Sequence, residues 1–181
     1  MLHSSAWRET SLIVQIFTRD HGNVAMVAKG AKRPYSALRA VLAAFQPLLV
    51  SWSGGGEVKT LTRAELTGIR QLGGASLMSA WYMNELLLRL LPREDSHPAL
   101  YDAYDAALQA LEQGASTAAA LRRFEWILLD ETGYGMGGTM PAFDEPAEER
   151  RMRPILRAQL DQLLGRPLRT RTVMRELQRY T

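Results

Sequence analysis

The strongest constraint on the fold is a change in hydrophobic period near residue 72. Residues 1–70 alternate apolar and polar side chains with the two-residue period of half-buried strands, and from residue 74 the period becomes the 3.6 residues of helices. This order predicts an α+β chain, with a small antiparallel β-barrel over residues 1–72 and a helical domain over residues 73–181.

Turn residues divide the first region into short strands. The pattern predicts strands over residues 11–18, 24–28, 45–52 and 57–64. A Gly-Asn turn at 22–23 joins the first two, and Gly54–Gly56 joins the last two into a hairpin. The basic connection 29–34 contains Gly and Pro and is predicted to be irregular.

In the second region, the predicted helices cover residues 74–91, 98–111, 117–131, 152–164 and 170–180. Pro92 stops the first helix, and Gly114 is a candidate C-cap of the second. Residues 139–147, with two prolines and two acids, are predicted to form a loop.

Composition removes several classes of site. The chain has no cysteine, which excludes disulfides, thiolate zinc sites and cysteine nucleophiles, and no two of its three histidines share a helical turn. We therefore expect no metal and no other cofactor. No window resembles a membrane span or a secretory signal, so the expected location is the cytoplasm.

No convincing active site is visible either. The Gly133–Gly138 run matches G-x-G-x-x-G, but it follows a helix and leads into a proline-containing loop, so it is predicted to be a helix stop. The acid pairs Glu94/Asp95, Asp102/Asp105 and Glu148/Glu149 lack a neighbouring histidine or glycine-rich cradle. We expect a protein that is not an enzyme.

Charge is strongly segregated along the chain. Residues 1–70 carry nine Lys or Arg against four Asp or Glu, residues 71–149 four against thirteen, and residues 150–181 nine against two. Two basic blocks around an acidic middle indicate two surfaces for a polyanion, or simply solvated basic helices.

The basic residues of the first region form a candidate nucleic-acid site. Single-strand binders combine cations that follow the phosphates with aromatic rings on which bases stack. The candidate cations are Lys29, Lys32, Arg33, Arg39, Lys59 and Arg63, and the candidate aromatics are Trp7, Tyr35 and Trp52. Such a pattern also occurs on inert surfaces.

A second basic set runs through the C-terminal helix. It consists of Arg166, Arg169, Arg171, Arg175 and Arg179, of which the last three recur every four residues and form one stripe. The stripe could contact phosphate, the acidic middle of this chain, or an acidic partner. We count Arg169, Arg171 and Arg175 among the candidate DNA-binding residues.

Several stretches, taken in order, resemble the bacterial RecO family. They are WRETSL (7–12), FTRDHG (17–22), VAKGA (27–31), FQPLL (45–49), GEVKTL (56–61), YMNELL (82–87), LRRFE (121–125), GYG (133–135) and GRPLRTR (165–171). The resemblance implies an N-terminal OB-type domain followed by a helical domain. It also implies binding of single- and double-stranded DNA, annealing of complementary strands, and cooperation with RecR in loading RecA onto DNA coated with single-strand-binding protein (SSB).

The resemblance further implies that the helical domain docks the acidic C-terminal tail of SSB. Arg122 and Arg123 are the candidate receptors, although they could equally be ordinary surface arginines beside core Leu121 and Phe124. A scaffold that binds only proteins is the alternative function.

Three features depart from the family pattern. Members usually begin about ten residues earlier, some carry a four-cysteine zinc site, and the interval between Gly135 and Gly165 is several tens of residues shorter here. That interval is either a real deletion or a join between separate segments.

Overall fold

The computed structural model describes residues 1–114 and 116–177, apart from the side chains of residues 174, 175 and 177. The chain divides into a sheet unit, residues 1–71 with 92–96, and a helical unit, residues 72–91 with the chain from 97 onward. In the ranges described, every helix falls short of the length and apolar content that crossing a membrane requires.

The sheet unit has five strands and one short helix. They are β1 (His3–Trp7), β2 (Ser11–Thr18), β3 (Gly22–Ala28), α1 (Ala37–Val41), β4 (Leu48–Ser53) and β5 (Val58–Leu66). The strand order is β1-β2-β3-β5-β4, with α1 between β3 and β4 in the chain. This is the arrangement of an OB-type domain, with β1 and β4 at the two edges of an open sheet.

The expectation of an antiparallel barrel is right for three strand pairs and wrong for one. β1–β2, β2–β3 and β4–β5 are antiparallel, whereas β3 and β5 are parallel. A parallel neighbour needs a crossover connection rather than a tight hairpin. Here the chain passes through α1 and β4 before β5 returns beside β3, so local turn signals could not reveal this pairing.

One face of the sheet forms an apolar core. Val14 and Ile16 of β2, Met26 of β3 and Leu61 of β5 are all buried there. Val14 lies directly opposite Met26 in the register, so their side chains share a face. The alternate positions of these strands therefore point to the other face, which carries the candidate site.

Segment 92–96 packs on the turn between β2 and β3. The Glu94 amide donates to the Asn23 carbonyl oxygen at 3.1 Å. Gly22 has a φ of +64°, and any Cβ there would collide with the backbone of Asp95. Both the left-handed backbone and this close approach require glycine at position 22.

The described part of the helical unit contains five helices. They are α2 (Gly74–Leu90), α3 (Pro98–Glu112), α4 (Thr117–Glu131), α5 (Pro146–Leu164) and α6 (Arg169–Leu177). α4 packs against α3 and α5, and α2 packs against α3 and α6. Leu86, Leu100, Phe124, Leu128 and Leu156 are fully buried between these helices. Their burial at helical spacing explains why the 3.6-residue period was strong enough to predict the elements.

Prediction of the helices succeeded where a local start or stop signal was present. The bounds of α4 agree with the predicted range, and those of α2 and α3 differ by one residue at the C-terminus. α5 begins six residues earlier than predicted, because Pro146 occupies its first turn and Glu148 and Glu149 favour the positive end of the helix dipole. Pro154 lies inside α5 without ending it.

Two elements of the sheet unit were not predicted. β1 is exposed along its whole length and shows no apolar alternation, and α1 has five residues and no buried side chain. The Gly133–Gly138 run forms turns after α4, as the helix-stop interpretation predicted. The predicted last helix is described only to residue 177, so its final residues, including Arg179, lie outside the described part of the chain.

Candidate nucleic-acid interface

A groove on the outer face of the sheet unit collects several predicted cations. It has a volume of about 710 Å³ and is bordered by the β1–β2 loop, the segment after β3 and the start of β5. Lys29, Arg33 and Lys59 line it together with Trp7 and Arg8. Candidates from three separate stretches of the sequence, namely Trp7, the 29–33 connection and Lys59, are thus brought to one site.

Hydrogen bonds from Lys32 join the two loops that border this groove. The Lys32 amide donates to the Thr10 carbonyl oxygen at 2.9 Å, and Lys32 Nζ donates to the Arg8 carbonyl oxygen at 3.5 Å. The stem of Arg33 lies over Gly30, where a Cβ would be 3.6 Å from its Cδ. Lys32 therefore joins the loops and lies beside the groove, rather than lining it.

The exposed cations of the groove keep their charge available. Arg8, Lys29 and Arg33 are exposed, and none of them forms an ion pair with an acid in the part of the chain that the structure describes. Glu9 is the acidic side chain among the lining residues. The groove therefore presents an excess of positive charge to solvent.

Lys59 differs from these three cations. Its Nζ lies 2.9 Å from Glu94 Oε2, and its side chain is only 11% exposed. Lys59 also lies opposite buried Met26 in the register, so its Cβ points to the core face of the sheet. Glu94 therefore offsets the charge of the least accessible cation in the groove.

Lys59 and Arg63, which were predicted to belong to one DNA-binding site, point to different faces of β5. The β4–β5 register shifts between Ser51 and Trp52, which leaves Thr62 without an opposite residue. A bulge of this kind reverses the alternation of side chains beyond it. Leu61 and Ala64 consequently face the core, whereas Arg63 points outward and pairs with Glu65 at 2.7 Å.

The remaining candidates of the sheet unit lie outside the groove. Arg39 is exposed on α1 and is absent from the residues that line the groove. Tyr35 is fully exposed with a φ of +65°. Trp52 packs against the core and meets the His21 ring edge-on at 5.1 Å, so it is unavailable for base stacking. Of the three aromatic candidates, Trp7 alone lines the groove.

Arg171, one member of the predicted stripe, is bonded within the helical unit. The Arg169 amide donates to Glu85, and the Arg171 guanidinium pairs with Asp161 and lies 3.4 Å from the Tyr82 hydroxyl. Arg166 and Arg171 line a shallow pocket at the α5–α6 connection. The side chain of Arg175 lies outside the described part of the chain. Arg171 faces the interior of the helical unit, which periodicity alone could not reveal.

Both the strand region and the helical region of this chain match models of known protein families. The family model "Recombination protein O N terminal" matches residues 1–70, and "Recombination protein O C terminal" matches residues 74–139. The chain belongs to the RecO family.

Several curated relatives support this assignment. A DNA repair protein RecO from Aromatoleum aromaticum is 62% identical over 76% of this chain and 57% of its own length. Those from Ralstonia nicotianae and Cupriavidus metallidurans are 59% and 56% identical, over 74% and 80% of this chain and 50% and 47% of their own lengths. This RecO-family chain thus spans about half the length of the relatives it matches.

The helical unit of this RecO-family chain contains a second cationic site, which we call the arginine pocket. It has a volume of about 430 Å³ and lies between α2, α4, α5 and α6. Four arginines line it, together with two glutamates and the apolar side chains of Ala118 and Leu121. These arginines are Arg122, Arg153, Arg157 and Arg171. Arg153, Arg157 and Arg171 lie beyond the 74–139 match to the family model.

Buried acids hold Arg122 in this pocket. Its Nη2 donates to Glu125 Oε1 at 2.6 Å, and its Nη1 lies 3.7 Å from Glu149 Oε1. The Tyr82 hydroxyl donates to the same Glu125 oxygen at 2.7 Å. Arg122 Nε is buried and has no hydrogen-bond partner. The guanidinium is therefore fixed in place, with one unsatisfied donor.

Burial also controls proton positions in this network. Burial raises the pKa of the Glu125 carboxyl, and the opposing effect of Arg122 does not fully offset it. Burial, and next the negative charge of Glu125, raise the pKa of Tyr82 well above its ordinary value. The tyrosine hydroxyl therefore keeps its proton and stays a donor to Glu125.

The two predicted tail receptors are in different environments. Arg122 lines the arginine pocket, whereas Arg123 is 40% exposed, pairs with Asp144 and is absent from the pocket lining. Arg8, Arg153 and Arg157 were not among the binding residues predicted from the sequence. Arg8 follows a strand that the alternation did not reveal, and the two α5 arginines required knowledge of which helices pack together.

Proposed function

We propose that this RecO-family chain acts in DNA repair by binding single- and double-stranded DNA in the groove of its sheet unit. Arg8, Lys29 and Arg33 contact phosphates there, and their lack of acidic partners among the described residues is the observation that carries the proposal. Neutralising phosphates releases counterions, so binding depends on salt and only weakly on sequence.

The proposed activity needs no bond-making step. A groove that neutralises phosphates lowers the repulsion between two strands held close together, and base pairing then drives their annealing. The described residues hold no cluster of three or more acidic or histidine side chains that could bind a metal ion. With RecR, such a protein would help RecA to replace SSB on single-stranded DNA.

The salt dependence of binding tests this proposal. The Lys29→Ala/Arg33→Ala variant should lower the slope of log affinity against log salt by about 1.4, since each phosphate contact with a single strand contributes about 0.7. Fluorescence anisotropy with a labelled oligonucleotide, at several salt concentrations, measures the slope.

Arg63→Ala is the matched control, because Arg63 points away from the core, is exposed and lies outside the groove. Its slope should equal that of the wild type. An unchanged slope in the double variant would remove Lys29 and Arg33 from the site. If the wild type bound no oligonucleotide, the scaffold that binds only proteins would be the better description.

We further propose that the arginine pocket receives the acidic C-terminal tail of SSB. A terminal carboxylate next to apolar side chains matches a pocket in which arginines meet Ala118 and Leu121. Arg122, Arg153 and Arg157 line this pocket and supply the positive charge that such a carboxylate needs. Arg153 is exposed at the rim and has no acidic partner among the residues described.

A peptide titration tests this second site without disturbing its buried ion pairs. Arg153→Ala should weaken binding of an acidic tail peptide about tenfold, the loss of one charge-assisted contact. Arg123→Ala serves as the control, since Arg123 lies on α4 outside the pocket lining, and this variant should bind the peptide like the wild type. Equal affinity of the peptide and its C-terminally amidated form would contradict the role of the carboxylate.

A further inference from the structure

We propose that Trp7 is a base-stacking residue that makes the groove prefer single strands over duplexes, with Arg8 placing its charge beside the stacked base. This inference rests on the proposed binding of DNA in the groove and adds a selectivity to it. Two independent features of the β1–β2 loop support it, the position of the indole and the backbone of Arg8.

The indole of Trp7 is placed on the binding face. Trp7 is the last residue of β1 and lies directly opposite Ser11 of β2. Side chains alternate along β2, so Ser11 and Ile13 point to one face and buried Val14 points to the other, which is the core face. Trp7 lies opposite Ser11, so Trp7 and Ser11 share the outer face. Trp7 is 43% exposed there and lines the groove.

The groove beside this ring has room for a planar ligand. Small side chains and backbone line it between the cationic loops, namely Ser11, Thr60 and Gly30. An exposed tryptophan next to such a floor can stack one nucleobase, because every base offers a π-face regardless of sequence. The bases of a duplex already stack on one another, so they are not available to the ring.

Arg8 adds a second observation. It has a φ of +52°, in the left-handed region that a residue with a Cβ rarely adopts. The two bonds from Lys32 to the carbonyl oxygens of Arg8 and Thr10 hold this conformation. The strained backbone places the guanidinium 5.8 Å from the centroid of the Trp7 ring, at the edge of the groove. A backbone of this kind, at the edge of a groove, makes Arg8 a candidate for a functional role.

The first experiment compares single-stranded and duplex oligonucleotides of one sequence. Trp7→Ala should lower the affinity for the single strand about tenfold, the typical loss of one stacked base, and change the duplex affinity less than about twofold. Trp7→Phe keeps a ring and should lie between the wild type and Trp7→Ala. Tyr35→Ala, which removes a fully exposed ring outside the groove, should leave both affinities unchanged.

A fluorescence signal identifies the stacked residue directly. The chain has four tryptophans, and stacking on a base should quench the emission of Trp7. Single-stranded DNA should therefore quench the wild type and leave the emission of Trp7→Phe nearly unchanged. Equal quenching of the two proteins would overturn the assignment, as would equal losses on single and double strands in Trp7→Ala.

Arg8→Gly separates a binding role from a structural one. Glycine accepts a φ of +52° without strain, so this variant should unfold at a temperature no lower than that of the wild type. It should nevertheless bind the single strand several-fold more weakly. Unchanged affinity would contradict the role of Arg8. If the wild type bound neither form of DNA, the proposed function itself would fail, and the stacking role with it.

Discussion

The two cationic sites of this chain hold their positive charge in opposite ways. In the groove of the sheet unit, Arg8, Lys29 and Arg33 extend from loops into solvent and have no ionic partner among the described residues. In the arginine pocket, Arg122 and Arg171 are partly or wholly buried and are bonded to acids and to Tyr82. Residue type alone does not distinguish these two arrangements.

The contrast indicates two modes of recognition. Exposed cations without partners act at a distance and are screened by salt, which suits a flexible polyanion of any sequence. Cations fixed by buried acids cannot follow a moving ligand, but they present donors at set positions to one end of a short peptide. Variants of the two sites and changes in salt and pH test this contrast.

Arg122→Ala should be the most damaging change. Removing this guanidinium leaves Glu125, which is 2% exposed, without its ionic partner, and such a loss typically costs about 3–5 kcal/mol. Urea denaturation followed by circular dichroism measures the free energy of unfolding. Arg123→Ala, in the exposed pair with Asp144, should cost at most about 1 kcal/mol. Similar losses of unfolding free energy in both variants would remove the distinction between a buried and an exposed arginine.

Glu85→Ala should loosen the first turn of α6, which carries Arg171 into the arginine pocket. The Glu85 carboxylate accepts bonds from the Arg169 amide at 2.8 Å and from the Thr170 amide at 2.9 Å. It thus caps the N-terminus of α6, and loss of such a cap costs about 1–2 kcal/mol. Thermal unfolding measures the change, and Glu112→Ala, in the last turn of α3, is a control of the same size.

The contribution of Glu85 should also depend on pH. Partial burial tends to raise the pKa of this carboxyl, but the hydrogen bonds from Thr170 and Arg169 outweigh burial and lower the pKa below its ordinary value of 4.5. A lowered folded-state pKa stabilises the protein above pH 4.5, and this stabilisation is lost as the pH falls through the folded-state pKa. The gap between wild type and Glu85→Ala should therefore narrow in acid, and a constant gap would contradict the charged cap.

In the wild type, binding at the two sites should depend on salt to different extents. Raising the salt concentration from about 50 to 200 mM should weaken oligonucleotide binding roughly twentyfold, as expected for three phosphate contacts with a single strand. Binding of the tail peptide to the arginine pocket should fall less, because charges that are partly buried are screened less. Equal salt slopes for both ligands, measured by fluorescence anisotropy, would show that the pocket behaves like an open surface.

Glu94→Gln should produce the smallest effect. The change removes the negative charge that lies 2.9 Å from Lys59 Nζ and leaves a side chain of the same size. The charge of Lys59 would then no longer be offset, and oligonucleotide affinity should rise about twofold to fourfold, which corresponds to less than about 1 kcal/mol. A lower affinity would indicate that Glu94 positions Lys59 for binding rather than offsetting its charge.

The sequence alone determined that a strand region precedes a helical region, and it determined most helix bounds. The switch of period near residue 72 follows from which faces are buried, and local signals such as Pro92 and Pro98 fixed where α2 ends and α3 begins. The cations Lys29 and Arg33 could be selected because they lie on one short connection. Their role in binding DNA stays a prediction.

Tertiary structure decided the rest, because side-chain direction and pairing depend on distant contacts. The crossover through α1 made β3 and β5 parallel, and the register shift at Ser51 and Trp52 turned Arg63 away from Lys59. Packing among α2, α4, α5 and α6 gathered four arginines into one pocket and separated Arg122 from Arg123. Composition sets how much charge a chain carries, whereas the fold sets which of those charges are free to bind.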